Sequence, residues 1–89
     1  MSEIHEKEGL FYVGDVEDPV AHLSFEVRDG DMVITSTVVD PDQREQGLGT
    51  ELIDYAVNYA RKHKLLIDPA CPFAGEVIGN TPEYQIVLK

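Results

Sequence analysis

The sequence predicts an α/β fold: an antiparallel sheet extended by one right-handed βαβ crossover. Three observations carry that expectation. Apolar and polar residues alternate from Ala21 to Val27, and Asp29-Gly30 follows them. Leu48, Leu52, Ile53, Ala56, Val57 and Ala60 recur at helical spacing. A β-branched run, Met32 to Val39, precedes that helix, and a short apolar run, Leu65-Leu66-Ile67, follows it.

Each element has its own signal. Residues 1–8 read as a frayed polar start. Leu10 to Val13, between Gly9 and Gly14, reads as a first strand, and Asp15 to Pro19 as a turn. In the next strand Ala21, Leu23, Phe25 and Val27 face one side, while His22, Ser24 and Glu26 face the other. Asp29-Gly30 then predicts a type I′ hairpin, because both central residues of that turn need positive φ. Asp40-Pro41-Asp42 ends the returning strand. The helix carries acids early and bases late, as its dipole favours, and should stop near His63 or Lys64. Asp68-Pro69 stops the next strand, which should lie parallel to Met32–Val39. A short helix over Phe73 to Ile78 and a second short element over Glu83 to Leu88 complete the reading. No repeat, linker or low-complexity stretch interrupts residues 1–89, so one domain is expected.

Composition excludes several function classes. The chain has 89 residues, 7 basic and 17 acidic, for a formal charge of −10. Nucleic acid needs a basic stripe, so a nucleic-acid partner is not expected. The charge serves solubility, and in a sharper reading steers a cationic substrate such as an amine. One cysteine allows neither an intrachain disulfide nor a four-cysteine zinc site. No metal-ligand spacing stands out among the histidines: His5 lies in the polar start, His22 on a polar strand face, His63 at a helix end. No apolar run approaches the ~20 residues of a membrane helix. The acidic start lacks the apolar stretch of a signal peptide, so a cytoplasmic location is the simplest expectation.

The stretch that carries chemistry is Arg44-Glu45-Gln46-Gly47-Leu48-Gly49-Thr50, between strand and helix. The first amides of a helix have no internal partners, and the dipole there is positive. Glycines at 47 and 49 let a ligand approach the backbone, and Arg44 adds a permanent charge. Together they suit a phosphate or pyrophosphate. The same glycines also suit a tight turn with no ligand, and neither a dinucleotide fingerprint nor a phosphate-binding nucleotide loop is complete.

The spacing RxxGxG, at Arg44, Gly47 and Gly49, resembles the coenzyme A motif of the GNAT superfamily of N-acetyltransferases. The likeness continues through Cys71-Pro72-Phe73 and Thr81-Pro82-Glu83-Tyr84, which resemble the CPF and HPEY segments of its very small single-domain members. The resemblance implies a minimal GNAT-like fold and acetyl-CoA as co-substrate. It implies that Arg44, Glu45, Gln46, Gly47, Leu48, Gly49 and Thr50 form the coenzyme A loop. It puts Val38 and Val39 on the strand along the pantetheine arm, and Cys71 and Phe73 in the CPF segment near the groove end, Phe73 as a coenzyme A contact. Ser36, Val38 and Thr81 stand where the family has His, Glu and His, and Glu45 replaces the first glycine of the loop.

The implied reaction is transfer of acetyl from acetyl-CoA to an amine, on a small molecule or a protein. Cys71 is the candidate catalytic residue, as acyl acceptor or as part of the acyl pocket; it also suits a small buried hydrophobe. Tyr55 and Tyr59, four apart beside the apolar face of the helix, read as partial core rather than a substrate box, and Tyr84 reads as packing at least as well as groove support. Two rivals stand beside the enzyme: a non-catalytic acyl-CoA binding or sensing module, and a protein-interaction domain whose glycines only make a turn. Oligomeric state and acceptor are not written in these residues.

Overall fold

The two-residue turn at Asp29-Gly30 organises the sheet. Both residues adopt positive φ, 50° and 84°, as a type I′ turn requires. The computed structural model describes residues 3–42 and 47–89. Its sheet contains β1 (His5–Lys7), β2 (Leu10–Asp15), β3 (Asp18–Arg28), β4 (Asp31–Val39) and β5 (Leu66–Pro69), side by side in that order. The first four strands are antiparallel neighbours, and β5 joins β4 in parallel. Helix α1 (Leu48–His63) makes the crossover; α2 (Pro72–Gly79) and a 3-10 helix (Pro82–Val87) close the chain.

All six apolar residues of the predicted helical stripe are buried in α1. They pack on Leu23, Phe25, Met32 and Ile34 of the sheet, and α2 adds Ala74 and Ile78 to the same core. Lys64 ends α1 in the left-handed conformation (φ 56°), with its N–H turned back to the Ala60 and Arg61 carbonyls. Tyr55 and Tyr59 lie edge-on to Phe11, with ring centroids 4.8 and 5.3 Å away. Tyr84 packs from the 3-10 helix and donates to Asp54 Oδ1 at 2.8 Å. Burial, then that carboxylate, pushes its hydroxyl pKa up to about 12.

Several expectations are corrected. Asp68 and Pro69 do not stop β5 but belong to it, paired with Val33 and Ile34. The turn expected over Asp15 to Pro19 narrows to the two residues between β2 and β3. Residues 1–8 are not all a frayed start: His5, Glu6 and Lys7 pair with Tyr12, Phe11 and Leu10. Backbone pairing suffices for a charged edge strand, which shows no apolar alternation to read. The Tyr55 hydroxyl donates to Glu6 and ties this strand to α1; that bond, more than burial, pushes the tyrosine pKa up to about 12. Val27 is 52% exposed, although it pairs with buried Met32. It borders an open hollow near Tyr59, beyond the cover of the helix. No helix among the described residues is long and apolar enough to cross a membrane.

Candidate functional site

The site begins where two parallel strands part. β5 pairs with β4 only from Asp31 to Ile34, whereas β4 runs on to Val39. The Cys71 N–H still reaches the Ile34 carbonyl at 3.0 Å, and the chain then turns into α2. Beside the remaining edge of β4 lies a cavity of about 520 Å³, lined by Thr37, Val38, Val39, Gly47, Gly49, Thr50 and Phe73. Ligands of α/β sheets generally sit at such carboxyl ends.

A β-bulge decides which side chains meet there. Ser24 pairs with Ser36 and Phe25 with Ile34, so Thr35 is an extra residue on β4. Its hydroxyl donates to the Ser24 carbonyl at 3.1 Å. The extra residue reverses the alternation. Met32 and Ile34 face the core before it, and Thr37 and Val39, opposite Leu23 and Ala21, do so after it. Val38 pairs with His22 on the other face and is 48% exposed. All three still border the cavity, because it lies at an edge rather than on a face.

The other wall is the first turn of α1. Gly47 holds φ 72°, and its carbonyl receives the Glu51 N–H at 3.0 Å. A Cβ on Gly47 would meet nothing within 4 Å, so the backbone angle, not a lack of space, is what favours glycine there. Gly49 has a different reason from the one its spacing suggests. A Cβ there would stand 2.9 Å from the Phe73 ring and 3.4 Å from Val39 Cγ2. The missing side chain therefore admits Phe73 rather than a ligand. Leu48 is 3% exposed and its side chain belongs to the core. Thr50 is exposed. Amides at this helix start and the positive dipole end favour an anion. Arg44, Glu45 and Gln46 lie outside the described residues.

Cys71 stands one hydrogen bond behind the wall. It precedes α2 as its N-cap residue and is 7% exposed. Its Sγ donates to Thr37 Oγ1 at 3.7 Å. Burial pushes the thiol pKa up, but the Ala74 N–H, the Thr37 hydroxyl and the Phe73 and Thr37 N–H groups outweigh it, and the net shift is downward. In the thiolate form Thr37 must turn to donate. Sequence reasoning found no role for Thr37. Only the bulge at Thr35 brings it to Cys71 and to the cavity, and nothing local in the sequence marks that bulge.

A larger hollow, about 660 Å³, lies near the other end of α1. Its apolar floor, Phe11 and Phe25, is 1% and 8% exposed, and three carboxylates, Glu6, Glu8 and Glu26, outnumber one cation, Lys7, around it. Those carboxylates repel a polyphosphate, so the smaller cavity is the better anion site.

Residues 10–87 match the family model described as GCN5-related N-acetyl-transferase. The chain belongs to that family. No curated protein matches it in sequence. A GCN5-like protein from Staphylococcus aureus, solved in solution by NMR, is 30% identical. It superposes with a TM-score of 0.84 over 98% of this chain and 87% of its own. The ribosomal-protein-S18-alanine N-acetyltransferase of Escherichia coli superposes with a TM-score of 0.63 at 18% identity, which is a likeness of fold. The match covers 83% of this chain and 52% of the E. coli chain, so this GCN5-related protein spans about half that enzyme's length.

Proposed function

We propose that the protein binds acetyl-CoA in the cavity between β4 and α1 and transfers the acetyl group to an amine. The observation that carries this reading is the cavity itself: the amides of a helix start at one end and an apolar strand edge at the other. The first suits a pyrophosphate. The second, with Val38, Val39 and Phe73, suits the less polar pantetheine arm. Arg44, Glu45 and Gln46 complete the loop in this reading, and residues 1–89 act as one domain.

The chain's part in the reaction is positioning. The amine nitrogen attacks the thioester carbonyl carbon, and the carbonyl electrons shift to oxygen. They return as the carbon–sulfur bond breaks, and coenzyme A leaves as thiolate and takes up, through water, the proton lost by the amine. Cys71 closes the acyl end from behind Thr37. Its burial favours support of that end over direct attack on the thioester.

No carboxylate or imidazole lines the cavity among the described residues. That observation also favours the second reading, an acyl-CoA binding module without turnover. Labelled acetyl-CoA and a panel of alkylamines separate the two. Without a general base, the rate should follow the unprotonated amine and rise about tenfold per pH unit up to the amine pKa, roughly 10.4 for a lysine-like amine. Saturable binding of acetyl-CoA with no amide formed at any pH would favour the binding module.

A further inference from the structure

The Thr37 hydroxyl sits in the cavity wall with a hydrogen to give. The Cys71 thiol donates to its oxygen from 3.7 Å, and Thr37 lines the cavity. A hydroxyl has one donor and two acceptor sites, so a thiol that occupies one acceptor site leaves the donor for the cavity. Thr37 lies two residues before Val39 on β4. At about 3.3 Å per residue, this puts it roughly 7 Å further along the strand, away from α1's first turn. A ligand whose anion rests at that turn extends its other end towards Thr37.

We infer that Thr37 is the hydrogen-bond donor to the thioester carbonyl oxygen, and that Cys71 orients it by occupying its acceptor side. The inference rests on the acetyl-CoA reading above and names the side chain that reading lacks. Negative charge builds on the carbonyl oxygen as the amine attacks, and a donor fixed beforehand stabilises that charge without reorganising. Cys71 touches no reacting atom in this arrangement, so it is a positioning residue. Its burial and its place at the start of α2 hold the thiol, and through it the hydroxyl, in one orientation.

Isotope-edited infrared spectroscopy of bound acetyl-CoA, with a 13C-labelled acetyl carbonyl, reads this contact without an acceptor. The wild-type protein and Thr37→Ser should give a carbonyl band at lower wavenumber than Thr37→Val, which keeps the shape and removes the donor. Cys71→Ala should give a band between these positions, because the hydroxyl is then free to turn. Calorimetry on the same samples should show affinities within about tenfold, the worth of one neutral hydrogen bond. Wild-type protein that binds no acetyl-CoA would overturn the acetyl-CoA reading and this inference with it. Tight binding with one carbonyl band shared by wild type and Thr37→Val would overturn this inference alone. Thr37→Ser that behaves like Thr37→Val would also overturn it, since the hydroxyl is retained. A wild-type band in Cys71→Ala would overturn the orienting role of the thiol.

Discussion

Phe11→Ala lowers the unfolding free energy by about 3–5 kcal/mol, the cost of emptying a large buried aromatic site. The ring is 1% exposed and lies 4.7 Å from Phe25, 4.8 Å from Tyr55 and 5.3 Å from Tyr59, centroid to centroid. It joins β2, β3 and α1, so three elements lose their common contact. Native stability is roughly 0.05–0.15 kcal/mol per residue, which for a chain this short makes the loss a large fraction of the whole. Urea denaturation should show a much lower midpoint with a similar slope. A midpoint shift worth less than about 1 kcal/mol would mean that the aromatic cluster is not the core described above.

Gly47→Asp separates folding from binding. Aspartate tolerates the left-handed conformation better than most residues, and a Cβ at this position meets nothing within 4 Å. A negative charge at a helix start also favours the helix by about 0.3–1 kcal/mol, which offsets backbone strain. In the acetyl-CoA reading proposed above, the same charge stands where the pyrophosphate would bind. Coulomb repulsion at short range should then weaken acetyl-CoA binding at least about tenfold, or about 1.4 kcal/mol. The expected result is a melting temperature within a few degrees of wild type and a clear loss of affinity by calorimetry. Equal affinity would remove the first turn of α1 from the binding site.

Periodic and turn-forming features were legible in the residues. Leu52, Ile53, Ala56, Val57 and Ala60 mark the buried face of α1 by spacing alone, because apolar residues at a 3.6-residue period form one stripe only on a helix. Asp29-Gly30 marks the hairpin in the same way: few residue pairs accept two positive φ angles. The crossover and the parallel pairing of β4 and β5 follow from the order of elements.

Less legible was what depends on pairing between distant segments. β1 is held by backbone bonds that its charged side chains do not advertise. The bulge at Thr35 is a one-residue mismatch between two strands, visible only once both are aligned. It turns Thr37 towards Cys71, which no spacing rule connects across 34 positions. Gly49 illustrates a second limit. Its motif position suggests ligand approach, yet the residue that fills the space is Phe73, from a later helix. The start of α1 was therefore readable in the residues, and the contacts that pack against it were not.

Acetyl-CoA in the gap between the end of β4 and the start of α1 is the central claim. Amide chemical-shift mapping by 15N NMR during an acetyl-CoA titration tests it most directly. Saturable shifts are expected at Thr37, Val38, Val39, Gly47, Gly49, Thr50 and Phe73, with little change around Glu8, Glu26 and Tyr59. No saturable shift on folded protein, or shifts concentrated at that acidic hollow instead, would contradict it.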